Sequence, residues 1–358
     1  MTLILEAFRN YLVDKSLIFS AIGTELQPIP YFNEVDLAKL LYNAKTILAK
    51  ESSLLKLDGR YCVVGDLHGN LHDLLQIIAN QGLPPITQYL FLGDYSGAGS
   101  NSVEVVALVM ALKVSFPRDV FLLKGHQELS NINVNTKFHQ EVTIEYSEGL
   151  WNLFNEVFEV LPLAAIISNN TFCVHGGIGP DITNLDLISS LKRPNNNSEI
   201  ASTLIWSEPT EMSKDFLPNQ GLKGYLYGVD AIQHFLKQNH LQRMIRSHGF
   251  VEKGINRFHG ANLYTIFSAS CYSKTNNESG CLLLHDGIIE GFTYEPIKKA
   301  SRNEENYTNV EKTFFRRVVD SDKNVKCRIR ISNSLSNHSF VSSSSNLPPL
   351  RRTTSMSD

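Results

Sequence analysis

Aspartate and histidine recur in this chain within short segments that follow runs of apolar residues. Val64-Gly65-Asp66-Leu67-His68-Gly69-Asn70 is one such segment, and Leu92-Gly93-Asp94-Tyr95, Val174-His175-Gly176-Gly177 and Arg246-Ser247-His248 are others. An Asp-x-His loop taken alone is more commonly a hydrogen-bonded turn than a ligand pair, and a His before two glycines can be only a tight turn. Together they mean more, because Asp66, His68, Asp94, His175 and His248 all lie just past strand-like runs and can face one edge of a sheet. Carboxylate and imidazole in combination suit Mn, Fe or Zn. A further segment, Leu122-Leu123-Lys124-Gly125-His126-Gln127-Glu128, ends another apolar run and sets an imidazole beside an amide.

The elements that position these residues can be read from periodicity. Leu37, Leu40, Leu41, Ala44 and Leu48 recur at helical spacing, so a helix is expected from about Asn33 to Lys50. Tyr61 to Val64 is a buried strand, and Leu71, Leu74, Leu75 and Ile78 mark a helix that Gly82 and Pro84-Pro85 stop. A second strand runs from Tyr89 to Leu92, a long apolar helix starts near Ser102, and a third strand spans Val120 to Leu123. This alternation predicts an α/β layered fold with parallel strand pairs, in which working residues gather past the carboxyl ends of strands. Leu150 to Leu161 forms a further helix face, and Thr171 to Val174 and Arg243 to Ile245 are strands ending at His175 and near His248. Leu263 to Phe267, Cys281 to His285 and Ile288 to Tyr294 read as antiparallel strands, the last two turning at Asp286-Gly287.

Composition excludes several classes of function. The chain has 358 residues, 42% hydrophobic and 19% charged, with a net charge of −3, which suits a folded enzyme-sized domain and argues against a nucleic-acid binder. No apolar run reaches the roughly 18 residues that a membrane-spanning helix needs, and the N-terminus lacks a basic region and cleavage site. A soluble cytoplasmic protein is expected, with the nucleus as the alternative. Cys62, Cys173, Cys271, Cys281 and Cys327 form no Cys-x-x-Cys pair, so reduced and mostly buried thiols are expected.

Three stretches follow: a lead-in over residues 1–32, a catalytic-type body over 33–300 and a tail over 301–358. The tail holds ten Lys or Arg against six Asp or Glu and is rich in serine, so disorder is expected from about Ser332. Arg351-Arg352-Thr353-Thr354-Ser355 is a site for a basophilic kinase or simply a solvated tail.

The blocks between the short motifs carry a resemblance. Gly65-Asp66-Leu67-His68-Gly69-Asn70, Phe91-Leu92-Gly93-Asp94-Tyr95, Leu161-Pro162-Leu163-Ala164-Ala165-Ile166, Phe172-Cys173-Val174-His175-Gly176-Gly177, Ile205-Trp206-Ser207-Glu208-Pro209 and Phe267-Ser268-Ala269 stand in this order. In this the chain resembles eukaryotic serine/threonine phosphoprotein phosphatases from about Asn33 to Ile297. The resemblance implies a calcineurin-like metallophosphoesterase β-sandwich with flanking helices and an active site at strand C-terminal ends. It also implies two divalent ions (Mn, Fe or Zn), with Asp66 and His68 on the first, Asp94 bridging, and His175 and His248 on the second. The partners it implies are a phosphoprotein substrate or ligand and, in some members, a regulatory subunit.

Departures from the family pattern fall on the catalytic groups. The family's Gly-Asn-His-Glu supplies a metal ligand from its Asn and a general acid from its His; here those positions are His126 and Gln127. A serine or threonine alkoxide needs a proton as it leaves, and an amide cannot supply one at neutral pH. His126 has three open roles: a replacement ligand, a ring turned away to pack, or a displaced proton donor. The family's Gly-Asp-Tyr-Val-Asp-Arg-Gly becomes Gly93-Asp94-Tyr95-Ser96-Gly97-Ala98-Gly99, and a second phosphate arginine is missing near Asn219-Gln220-Gly221-Leu222-Lys223. Lys223, Arg246 and Tyr272 remain as substrate-binding candidates, although a point charge does not replace a bidentate guanidinium. Losing a general acid costs about 10²–10⁴-fold and losing a preorganised charge donor about 10²–10³-fold. The expectation is therefore a serine/threonine phosphatase with attenuated turnover. The alternatives are a pseudophosphatase binding module and, third, a small-molecule phosphoesterase, for which no closed pocket is legible. Cys271, in a loop that borders the family's active site, is an oxidation-sensitive thiol or an inert one.

Overall fold

The computed structural model describes residues 1–14, 17–195, 198–221 and 223–310. Cys327, the serine-rich stretch from Ser332 and the Arg351–Ser355 segment lie outside the described residues.

Parallel strands buried on both faces read as continuous apolar runs, and three of them lie side by side: Tyr61–Val64, Gln88–Phe91 and Val120–Leu122. Ser279–His285 pairs antiparallel with Tyr61–Val64, and Ile288–Tyr294 pairs antiparallel with Ser279–His285, which completes a five-stranded sheet. A six-stranded sheet faces it, in the order Ile255–Arg257, Leu263–Ile266, Arg243–Arg246, Thr171–Val174, Ala164–Ile167 and Leu54–Leu57. Leu263–Ile266 is not antiparallel to its main neighbour as its sequence suggested. It runs parallel to Arg243–Arg246 and meets only the edge strand Ile255–Arg257 in antiparallel register.

Alternation along each strand sorts the cores. Val63, Leu90, Cys173, Ile245, Ile266 and Leu282 point between the sheets. The opposite faces of the same strands, Cys62, Val64 and Phe91 on one sheet and Phe172, Val174 and Met244 on the other, pack under two separate helical layers. The result is a helix–sheet–sheet–helix sandwich, the α/β class and layering expected.

Helix boundaries follow capping chemistry. Asn33 accepts from the Asp36 N–H at the start of Glu34–Leu48, and Asn70 accepts from the Asp73 N–H at the start of Leu71–Gln81, which Gly82 ends at φ +96°. Ser102–Ser115 shows no apolar stripe because it is covered on nearly every side.

The terminal segments belong to the packed body. Ile4, Leu5, Phe8 and Leu12 enter the main helical core, and Ile29–Tyr31 pairs in parallel with Tyr307–Asn309. Arg302 closes this seam through Glu104 (2.9 and 3.0 Å) and Glu145 (2.5 and 2.7 Å). The boundaries drawn at 32 and 300 thus cut through contacts: the packed body takes in residues from both the lead-in and the start of the tail.

Candidate metal centre

Each of the strands Tyr61–Val64, Gln88–Phe91, Val120–Leu122, Thr171–Val174 and Arg243–Arg246 delivers its loop to one end of the sandwich. There Asp66, His68 and Asp94 form one group of possible ligand atoms, and Asp94, His126, His175 and His248 form a second, each group lying within 4.8 Å. Asp94 belongs to both. The structure therefore brings together all six residues expected to bind metal, His126 included.

Backbone conformation shows how tightly the loops are drawn in. His68, Asp94 and His248 have φ of 46°, 55° and 54°, a left-handed region that L-residues seldom occupy outside functional sites. Gly93 at φ +105° lies so close to the His126 loop that a Cβ there would come 2.4 Å from the Gly125 nitrogen.

Distances define the cluster further. His68 Nε2 lies 3.5 Å from Asp66 Oδ2 and 3.8 Å from Asp94 Oδ2, while His175 Nε2 lies 3.4 Å from Asp94 Oδ1. His126 Nδ1 sits 2.9 Å from Asp94 Oδ2, 3.3 Å from His175 Nε2 and 3.0 Å from His248 Nδ1. Asp94 Oδ2 is buried, yet neither of its own contacts, to His68 and to His126, has hydrogen-bond geometry, and His68 Nδ1 is likewise buried without a partner. A fully buried carboxylate oxygen left without a bond and surrounded by imidazoles fits a cation.

The electrostatics have the same sense. Burial opposes ionisation of Asp94, but His126, His175 and His68 outweigh it and hold the carboxyl well below its ordinary range. Burial pulls His175 down to about 3, leaving it neutral and able to donate a lone pair. Burial would also lower His126, but the Asp94 carboxylate beside it wins and lifts it to about 9.

Some supporting residues had no role in the sequence reading. Glu128, itself buried, accepts from the N–H groups of Asp94 (2.8 Å), Tyr95 (3.0 Å) and Gly125 (2.9 Å), tying the Asp94 loop to the His126 loop. Burial and the nearby Asp94 charge push the Glu128 carboxyl up to about 7. Its signals in the sequence were its place at the end of an apolar run and the Glu that closes the family's Gly-Asn-His-Glu motif. The Ser247 hydroxyl accepts from Asp66 N at 2.8 Å and is within reach of Asp66 Oδ1, which orients that carboxylate. Trp206 packs on the His126 ring at 4.8 Å, and Glu208 Oε1 lies 3.4 Å from His248 Nε2.

The substrate-binding candidates divide. Tyr272 stays at the mouth, its ring 4.9 Å from that of His68. Arg246 is corrected: its side chain turns inward, donating to the carbonyls of Gly176 (2.7 Å), Ser207 (3.3 Å) and His248 (3.3 Å). A guanidinium so used braces the His175 and His248 loops and is not offered to a phosphate. Lys223 is exposed beside the strand Tyr225–Tyr227, and no hydrogen bond or ion pair joins it to the cluster among the described residues. Gln127 donates its N–H to Asp94 Oδ1 at 2.9 Å and turns its side chain onto His126.

With this geometry in place, the similarities to known proteins follow. Residues 59–251 match the family of calcineurin-like phosphoesterases, and the chain belongs to that family. Among solved structures it is similar to a protein serine/threonine phosphatase from Saccharomyces cerevisiae, at 29% identity over 75% of this chain and 92% of that one, with a TM-score of 0.71. A cold-active protein-tyrosine phosphatase of a psychrophilic Shewanella species is similar at 15% identity over 71% of this chain and 84% of its own, with a TM-score of 0.53. At that identity the second likeness is one of fold alone.

Proposed function

We propose that the chain is a dimetal phosphoesterase of the serine/threonine phosphoprotein type, with attenuated hydrolysis. The observation that carries this reading is an asymmetry inside one cluster. Six ligand-type side chains converge at the strand ends, while position 127 holds an amide bonded to its neighbour where a proton donor is needed. The 29% identity to a serine/threonine phosphatase over most of both chains supports the substrate class.

On this reading Asp66 and His68 would hold one ion, Asp94 both, and His126, His175 and His248 the other. When bound, two such ions supply Lewis acidity to phosphoryl oxygens and to water. The chain's own residues bind and orient but do not complete the reaction well. Gln127 has no proton to release, Arg246 is already bonded, and Gly97 and Ala98 stand where the family has Asp and Arg. These losses do not simply multiply, since the groups act as a unit. A deficit of several orders of magnitude is still the result.

A phosphopeptide assay on the metal-supplemented full-length protein, with Asp94→Asn as the blank, tests the reading. Slow release of phosphate above that blank is expected, from a protein that carries two divalent ions. Turnover at an ordinary enzyme rate of about 10 per second, or a protein without bound metal, would overturn it. Binding of phosphopeptide with no turnover above the blank would favour the pseudophosphatase alternative.

A further inference from the structure

The two residues by which this chain departs from the family's Gly-Asn-His-Glu motif lie against each other. Gln127 Nε2 is 2.9 Å from His126 Nε2, and Gln127 Oε1 is buried without a partner. A half turn of the amide exchanges two ends of nearly equal size. It brings the carbonyl oxygen to His126 Nε2, satisfies the orphaned acceptor and fixes the ring proton on Nε2. The lone pair is then left on Nδ1, the atom that faces Asp94, His175 and His248.

Neighbouring rings are set in the same way. His175 Nδ1 is 3.0 Å from the Leu92 carbonyl and donates to it, so its Nε2 lone pair faces the cluster. Glu208, 3.4 Å from His248 Nε2, favours a proton there and a lone pair on Nδ1. Each of the three imidazoles thus has an outer partner that selects its tautomer, as metal-ligating histidines commonly do. Ligands at about 2.0–2.1 Å around a tetrahedral ion are roughly 3.3–3.4 Å apart; His126 Nδ1 lies 3.3 Å from His175 Nε2 and closer, 2.9 and 3.0 Å, to Asp94 Oδ2 and His248 Nδ1.

We propose that His126 and Gln127 act as one unit: a fourth protein ligand, and the amide carbonyl that fixes its tautomer. Together they give the Asp94–His175–His248 site a donor set of three nitrogens and one oxygen that selects zinc over manganese. The inference rests on the dimetal reading and deepens it. Replacing an amide oxygen by imidazole favours borderline metals over oxygen-seeking ones. The Asp66–His68 side, with fewer ligands, remains the exchangeable one.

The test uses the full-length protein, stripped with a chelator and reloaded in a competition of Zn²⁺ with Mn²⁺. Metal content is read by elemental mass spectrometry. Variants are accepted when their far-ultraviolet circular dichroism matches the wild type. The wild type is expected to keep one zinc against excess manganese. His126→Asn and Gln127→Met should each lose zinc affinity at that site by about 10–100-fold, with the other ion unchanged. Gln127→Glu, which still accepts from His126, should retain it. If His126→Asn and Gln127→Met bind two ions with wild-type selectivity, the inference fails and the dimetal reading stands. If Gln127→Glu loses as much as Gln127→Met, the side chain only packs, and the tautomer argument is overturned. A wild type that binds no ion refutes the dimetal reading itself.

Discussion

His68 and His175 approach the same carboxylate from opposite sides, and their surroundings differ. His175 is fully buried, its Nδ1 bonded to the Leu92 carbonyl and its loop braced by Arg246. His68 lies under Tyr272, its Nδ1 has no partner, and its loop is held by backbone bonds, from Leu67 and His68 N to Asp94 O (3.0 and 2.8 Å), from Gly69 N to Tyr95 O (2.8 Å), and from Gly99 N to His68 O (2.7 Å) and Asn101 N to Gly69 O (3.1 Å). The last of these supports is itself tied to the end of the packed body, by Asn101 to Glu305 at 2.7 Å and Arg302 to the Ser100 carbonyl at 3.0 Å. One centre thus has a side whose imidazole is fixed by polar partners and a side held by loop backbone, part of which is tied to a distant strap. Ligand identity alone does not distinguish them.

The largest effect expected is that of Asp94→Asn, which should abolish the distinction by emptying both sides, since this carboxylate belongs to both ligand groups. Elemental analysis of the purified variant checks it; retention of both ions would mean the two sides do not share Asp94. Next, His68→Ala should remove one ion and leave the zinc-selective one, whereas His175→Ala should remove the other. Identical losses in the two variants would erase the comparison.

The strap gives a third prediction. Among the described residues Arg302 is the one cation paired with Glu104, Glu141 and Glu145, and Glu104 and Glu141 are almost wholly buried. Arg302→Met leaves those carboxylates unpaired and should cost about 3–5 kcal/mol in denaturant unfolding, while weakening the ion on the His68 side more than the other. Equal weakening would show that the strap stabilises the whole body without distinguishing its two sides.

A smaller effect comes from His72, on the helix that follows the His68 loop. It is buried with Nε2 3.1 Å from the Ile22 carbonyl, and burial lowers it to about 4. The folded state resists the proton that the unfolded chain accepts near pH 6.5. Stability is thus fully present above that pH and lost as pH falls through about 4, by roughly 3 kcal/mol in all. Unfolding curves at pH 7 and pH 4 should reveal the loss, and His72→Gln should flatten it. An unchanged pH dependence in the variant would assign the acid sensitivity to other groups.

Much of this centre was legible in the sequence because buried parallel strands are continuous apolar runs and end abruptly in glycine, aspartate or histidine. Tyr61–Val64 and Thr171–Val174 fall where they were read, and their loops deliver Asp66, His68 and His175. Short elements left no such trace. Ile29–Tyr31 and Tyr307–Asn309 are too short for a period and become strands only through each other. The direction of Leu263–Ile266 depended on its neighbour, which no local pattern encodes. Arg246 was legible as a charge, but not its inward turn, since the three carbonyls it bonds come from separate segments. Glu128 was hidden for the same reason: its partners are backbone N–H groups of another loop.

Metal binding and hydrolysis are separable in this chain, and both can be read on a single sample. Phosphopeptide hydrolysis is followed with protein whose metal content has been counted in the same preparation. Two ions per chain with turnover several orders of magnitude below about 10 per second is the predicted result. Two ions with turnover at that ordinary rate would contradict the account, because Gln127 would then stand where no proton donor is needed.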